Sequence, residues 1–394
     1  MRFESDADMN KQLLEHLNLA LRWLANTACN RENRPIGSFG AALPYREWRG
    51  AMRGEYCAAT GIWDSFCPYW HTGQAMKAFV AAAQRLRQPE LLSQAEFCAG
   101  FLQANQYQTG ADEGLFPAYE SRPDEINTSA ILESLDGLFR LAEATGKQLY
   151  QDSALKALNW VAEKAWMPEE GLFRDIYDSR EKIFRYDTPA AQNRPLLDDA
   201  VFLTGWRLTG EKRYREIALR TAETLLQHEK PAGNWIRYIP CDIKNNLLHP
   251  RHAYWWGYPM LELFRETGDE RFRDCFHRAA QWYFQALRTD GGMLRDTDSS
   301  FGTSSFGHAS SASACAARIL LAAAREFNDE QYLQKAKLAL NFCCRMQFTQ
   351  ANDPNLQGAI LEKVLFPDGS DRSPYYLRDL GTIFFVQAAV DYLD

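Results

Sequence analysis

Two adjacent acids, Asp198 and Asp199, open the otherwise apolar segment LLDDAVFLTGW. Two carboxyl groups in such a setting are costly to bury without purpose, and burial of one beside the other raises its pKa, which suits an acid that must hold a proton near neutrality. Either residue alone also has a plain structural use, capping a helix and meeting its positive end. Five further clusters carry polar and aromatic side chains. GIWDSFCPYWHTG offers Asp64, Trp70 and His71, and ESRPDEINTS offers Arg122, Asp124, Glu125 and Asn127. LLHPRHAYWWGYP brings together His249, Arg251, His252, Trp255 and Trp256. SSFGTSSFGHASSAS supplies Phe306 and His308, and DGSDRSPYYLRD supplies Arg372, Tyr375, Tyr376, Arg378 and Asp379. His249 and His252 stand three apart, but no third ligand stands at matching spacing, so no metal is expected. Acids, His, Arg and aromatic rings are the equipment of a saccharide site, with rings against sugar faces and polar groups on hydroxyls. The aromatic residues would equally serve as core.

These clusters lie far apart in the chain, so some regular architecture has to gather them. A recurring element points to it: TGKQLY at Thr145, TGEKRY at Thr209, TGDERF at Thr267 and a degenerate FNDEQY at Phe327, spaced by about 60 residues, the length of one long helical hairpin with its loops. Each copy reads as a helix ending at a left-handed Gly, followed by charged residues that open the next helix. The segments before the copies are apolar at helical spacing, for example AILESLDGLFRLAEA and SASACAARILLAAARE, and those after them also carry helical patterns. With HTGQAMKAFVAAAQRL and RDLGTIFFVQAAVDYL as further inner helices, and the N-terminal NKQLLEHLNLALRWLA and LLSQAEFCAGFLQANQ as further outer ones, the chain alternates outer and inner helices throughout. Six such hairpins cannot bury their apolar faces singly. The predicted fold is therefore all-α, a twelve-helix (α/α)6 toroid formed by residues 1–394 as one domain. Pro, Gly and aromatic residues gather in the long connections leading into the inner helices, so all six clusters should open on the same end of the ring.

The bulk properties agree with a globular chain: 394 residues, 46% hydrophobic, with no membrane-length apolar run. A formal charge of -7 without a basic tract argues against nucleic acid or an anionic membrane as partner. The start MRFESDADMNKQ lacks a secretory pattern, and nine scattered cysteines read as reduced and buried, so a cytoplasmic location is expected.

On these residues the chain resembles the six-hairpin glycosidases, and within them the unsaturated glucuronyl and rhamnogalacturonyl hydrolases. LLDDAVFLTGWRLTGEKRYREIA is similar to that family's catalytic-Asp helix and following turn, SSASACAARILLAAARE to its Ser-Ser-Ala helix, and RDLGTIFFVQAAVDYL to its closing helix. The resemblance implies an oligosaccharide substrate carrying a uronic acid, the 4,5-unsaturated kind included, no cofactor, and Asp198 as the catalytic acid, with Asp199 as the fallback. His308, Arg251 and Arg378 would hold the sugar carboxylate. The family's His-Asp-x-Gly-Phe stretch is missing before the second inner helix, where Asp124 or Glu125 would have to substitute. Two other functions fit the same toroid. One is a sugar epimerase or isomerase of the N-acylglucosamine 2-epimerase type, in which His252 and His308 would shuttle a proton. The other is a toroid that binds a glycan or a protein without catalysis.

Overall fold

The computed structural model describes residues 6–187, 191–303, 307–364 and 376–394. Its helices are α1 (Asp6–Trp23), a short α2 (Gly37–Ala41), α3 (Pro68–Leu86), α4 (Glu90–Asn105), α5 (Thr128–Thr145), α6 (Gln148–Trp160), α7 (Val201–Thr209), α8 (Lys212–His228), α9 (Met260–Thr267), α10 (Glu270–Ala286), α11 (Ser310–Phe327), α12 (Glu330–Arg345) and α13 (Asp379–Leu393). The repeated TG turns work as their chemistry requires. Gly146, Gly210 and Gly268 sit at φ 68, 70 and 72, and Asn328, in the degenerate copy, at φ 51. Each accepts a left-handed backbone at the end of an inner helix and lets the chain turn back at once.

The inner helices α3, α5, α7, α9, α11 and α13 form a ring lined outside by α4, α6, α8, α10, α12 and α1. The ring closes because α13 packs against α3 and α1 packs against α13. The architecture is an (α/α)6 toroid. Its tightest seam lies between α3 and α5. A Cβ on Gly73 would come within 2.4 Å of the Ser134 Cα, and one on Gly137 within 2.2 Å of the Gly73 carbonyl oxygen. Only glycine lets the two backbones approach so closely.

Two inner helices depart from the uniform hairpin that the apolar spacing predicts. Before α7 the residues Asp198–Ala200 form a 3-10 turn in which Asp199 and Ala200 both have φ 50. Before α9 the segment Ala253–Gly257 is a single π-helical turn, after which Pro259 caps the helix proper. Proline at that position has no N–H to offer to a continuing ladder, so the helix restarts there. These turns complete the inner wall where α7 and α9 are short.

The long connections carry small antiparallel strands: β1 (Glu55–Cys57), β2 (Ile62–Asp64), β3 (Glu125–Asn127), β4 (Trp166–Met167), β5 (Leu172–Phe173), β6 (Ile176–Asp178), β7 (Ile183–Phe184), β8 (His308–Ala309), β9 (Lys363–Val364) and β10 (Tyr376–Arg378). They pair as β10-β1-β2, β3-β6-β7, β4-β5 and β8-β9. Strands of two or three residues leave no alternating pattern to read, which is why the sequence gives no sign of them. The β1–β10 pair sets Glu55 opposite Arg378 and ties the first connection to the last inner helix. All nine cysteines are buried and unbridged. Among the described residues no helix is long and apolar enough to cross a membrane.

Candidate active site

The first turns of the inner helices and the connections before them enclose a cavity of about 260 Å3 at the long-connection end of the ring. A second cavity, of about 330 Å3, follows the same axis between the later turns of the inner helices toward the short-turn end. Glu133, Asp198 and Trp255 border both.

Asp198 owes its place to the left-handed kink. Two consecutive non-glycine residues at φ 50 are strained, and such strain persists where the surroundings over-determine it. The kink separates two neighbouring carboxyl groups. Asp198 lines the front cavity, only 3% exposed, and its Oδ2 has no hydrogen-bond partner. Asp199 borders the rear cavity alone, ion-paired with Lys77 and accepting from Gln74 Nε2 at 3.1 Å. Burial pushes the Asp198 pKa up to about 7, the Arg194 guanidinium opposes the rise, and the charges of Asp199 and Asp175 add to it. Glu133, projecting from α5, is pushed well above the usual carboxylate range by burial and then by Asp198. Glu120, also on the wall, is raised by burial too. Burial thus biases the carboxyl groups of this cavity toward the protonated form.

The opposite wall is cationic and aromatic. The Arg251 guanidinium lies 5.4 Å from the centre of the Trp70 ring and 5.0 Å from that of Trp255. Its Nη1 is buried without a partner, as are Nε1 of Trp70, Trp255 and Trp256, Nε of Arg194 and Oδ1 of Asn127. Buried polar atoms left unpaired are costly, so a polar ligand in this cavity would recover that cost by pairing with them. His249 lies nearly parallel to Trp255, at 13° and 5.4 Å between ring centres. Burial, then the Arg251 charge, lowers its pKa well below the ordinary value, so the ring is neutral. Its Nδ1 accepts from the Arg251 backbone N–H at 3.3 Å, which places the proton on Nε2. Arg194 is fixed by an ion pair with Asp175 and by Ser129 Oγ at 2.7 Å. Arg378 is held by Glu55, with Nε to Oε1 at 2.7 Å, and lies 3.7 Å over the Phe66 ring.

Of the residues singled out in the sequence, Trp70, Asn127, Asp198, His249, Arg251, Trp255, Trp256 and Arg378 converge on this front cavity. The others stand elsewhere for identifiable reasons. Asp64 caps α2, its Oδ1 accepting from Phe39 N at 3.0 Å and Ser65 N at 2.8 Å. His71 is fully buried, its Nδ1 2.5 Å from Asp379 Oδ1. Glu125 and Asp124, placed where an acid was expected before the second inner helix, are taken up by arginines: Glu125 by Arg122 at 3.3 Å and Arg185 at 3.4 Å, Asp124 by Arg185 at 3.6 Å. His252 has both ring nitrogens occupied, Nδ1 by Cys241 Sγ and Nε2 by the Ile239 carbonyl, each at 3.1 Å. His308 borders neither axial cavity. It packs on Phe342 and stands 3.7 Å from Asp290. Phe306, Arg372 and Tyr375 lie outside the described residues.

Sequence reasoning missed Glu133, Glu120, Arg194 and Lys77. The signal was present for Glu133: it stands four residues after Ser129 and three before Asp136 on one face of an otherwise apolar helix. Among the described residues no group of three or more His, Cys, Asp or Glu side chains is arranged to hold a metal ion.

No known family profile and no curated protein matches the chain in sequence. Solved structures match its fold along the whole length. A sugar epimerase from a ruminal bacterium aligns with a TM-score of 0.69 at 13% identity, covering 98% of both chains. An unsaturated glucuronyl hydrolase specific for heparin aligns at 0.68 and 14% identity, covering 97% of both. A family 76 mannosidase from Bacteroides thetaiotaomicron aligns at 0.66 and 12% identity, covering 98% of both. At these identities the likeness is one of fold, the six-hairpin toroid that sugar hydrolases and sugar epimerases share.

Proposed function

We propose that the front cavity is a carbohydrate active site and that the protein is a glycoside hydrolase acting on a uronic-acid-containing oligosaccharide, with Asp198 as general acid and base. The observation that carries this reading is a buried carboxyl group, unpaired at Oδ2, with its pKa pushed up to about 7. It faces the same cavity as an Arg251 guanidinium with an unpaired Nη1. A group poised at that pKa is matched to proton transfer near neutrality.

In a 4,5-unsaturated substrate, the protonated Asp198 would donate its proton to the carbon of the enol ether. The resulting carboxylate would take a proton from the water that adds at the neighbouring carbon, after which the ring opens and the glycosidic bond is lost. Arg251 and Arg378 would receive the uronate carboxyl group. The indole Nε1 atoms of Trp70, Trp255 and Trp256 would donate to hydroxyls. Trp255 already has His249 and Arg251 against its ring, so its edge rather than its face is left for a sugar. The occupied nitrogens of His252 and the position of His308 favour this carboxyl chemistry over a shuttle between those two histidines.

The test is a panel of unsaturated and saturated uronic disaccharides, following loss of the double-bond absorbance and release of reducing ends. Turnover of at least one, abolished by Asp198→Asn, is expected. Turnover that survives Asp198→Asn and changes the sugar's configuration without releasing reducing ends would replace this reading with epimerisation.

A further inference from the structure

The rear cavity is built from all six inner helices and differs in character from the front one. Gln74 and Lys77 reach it from α3, Asp136 and Arg140 from α5, Thr204 and Arg207 from α7, Glu262 and Arg265 from α9, Arg318 and Arg325 from α11, and Phe384 from α13. Three of its arginines occupy one structural position. Arg207, Arg265 and Arg325 each stand three residues before the left-handed cap of their helix, at Gly210, Gly268 and Asn328. Arginine there complements the negative end of the helix. Because the helices run side by side with the same polarity, the repeat also sets these guanidiniums around one opening.

Two of their carboxylate partners are shared, while Arg207 also meets Glu266 at 3.3 Å and Arg318 meets Asp391 at 2.5 Å. Glu262 serves Arg207 at 3.2 Å and Arg265 at 2.8 Å. Asp136 serves Lys77 at 3.0 Å and Arg140 at 2.7 Å. Arg325 gives its Nη2 to the Asp391 carbonyl, an uncharged acceptor, at 2.6 Å. The lining holds Lys77, Arg140, Arg207, Arg265, Arg318 and Arg325 against Glu133, Asp136, Asp198, Asp199 and Glu262. Burial biases Glu133 and Asp198 toward the neutral form. A chain of net charge -7 thus gathers six cationic side chains around one concave site, with Glu266 as a further partner of Arg207 and Asp391 as a partner of Arg318.

We propose that this rear cavity is a binding site for a small multivalent organic anion, phosphoryl or polycarboxylate. At about 330 Å3 it has room for a molecule of sugar-phosphate size. The exposed ends of Arg140, Arg207 and Arg265, with side chains 48%, 43% and 54% accessible, are available to it. Guanidinium forks match the paired oxygens of phosphate and carboxylate groups. This site stands independently of the reaction assigned to the front cavity.

The test is calorimetric titration of the full chain, at low ionic strength and pH 7.5, with inorganic pyrophosphate in one arm and citrate in the other. Saturable one-to-one binding in either arm is expected, and the responding arm distinguishes the phosphoryl from the carboxylate source. Arg140→Gln and Arg265→Gln should each weaken it at least fivefold, and Arg251→Gln, in the front cavity, should leave it within twofold. Raising the salt to 0.5 M should weaken it at least tenfold, as screening of an exposed charged site requires. The anion should also raise the melting temperature of the wild-type chain, but less for the rear-cavity variants, a readout that does not depend on activity. Absence of binding in both arms, binding indifferent to the rear arginines, or loss of binding in Arg251→Gln would overturn the proposal.

Discussion

Asp198 and Asp199 are covalent neighbours with separate duties: Oδ2 of Asp198 is buried without a partner, whereas Asp199 neutralises the buried Lys77. Replacing each by asparagine should therefore give opposite phenotypes. Asp198→Asn should fold with undiminished stability at pH 7 and lose turnover by a factor of 1000 or more, an order of magnitude typical of a removed acid–base group. Asp199→Asn leaves Lys77 with Asp136 as its remaining carboxylate. It should lose about 2 kcal/mol in urea unfolding, less than the ~3–5 kcal/mol of leaving a buried charge unpaired because Asp136 still neutralises Lys77. Equal destabilisation by both substitutions would show that Asp198 is a structural carboxylate.

The raised pKa of Asp198 also fixes the sign of a pH effect on stability. Its native value of about 7 lies above the unfolded value of about 4, so between them the folded chain holds a proton that the unfolded chain has released. The stabilisation from that proton is full below about pH 4 and lost as the pH rises through about 7. Asp198→Asn has no proton to lose. Its stability relative to wild type should improve by up to about 1 kcal/mol per pH unit over that interval and level off above it. Urea unfolding of both proteins at pH 4.5, 5.5, 6.5 and 7.5 measures this difference, and a flat difference would place the Asp198 pKa in the ordinary range. If Asp198 is the general acid, kcat/KM should fall above about pH 7.

Arg251 combines charge with a planar face set between Trp70 and Trp255. Lysine keeps the charge but not the plane or the fork. Arg251→Lys should raise KM for a uronate-bearing substrate about tenfold and change kcat much less, while Arg251→Met should raise it by a further order of magnitude, together about 3 kcal/mol. Steady-state kinetics on matched uronate and neutral disaccharides checks this. An equal loss on both substrates would assign Arg251 to holding the indoles in place.

The seam between α3 and α5 makes a stability prediction free of any assumption about function. A methyl group at Gly73 or Gly137 meets backbone rather than a movable side chain, at 2.4 and 2.2 Å. Each alanine substitution should cost about 3 kcal/mol or more, the upper range for overpacking, visible as a lower midpoint in urea unfolding. Gly100→Ala, with nothing within 4 Å of the added atom, should be neutral or slightly stabilising as an internal control.

The toroid was legible because its repeat is carried by local chemistry. A glycine or asparagine that ends an inner helix at φ near 70 or 50 is visible in the string TGD or FND without knowledge of anything distant. The gathering of Trp70, Asp198, Arg251 and Trp255 followed from the helix starts alone. What spacing could not supply was the partner of each polar group. Glu125 reads as a catalytic acid until Arg185, 60 residues later, is found against it, and His252 reads as a base until Cys241 and Ile239 occupy its nitrogens. Glu133 was hidden for the converse reason: its strand of evidence is an apolar helix face, and only ring closure reveals that this face looks onto the axis. The kink at Asp199 and Ala200 has no sequence signature, since neither residue type favours a left-handed backbone as glycine does.

Glu133, Asp198 and Trp255 belong to the walls of both cavities at once. Charge added on either side acts on the same carboxyl groups at short range, through a medium that screens poorly. A charged ligand bound in the rear cavity would therefore shift the acidity of Asp198, and protonation of Asp198 would alter that ligand's affinity by an equal and reciprocal free energy.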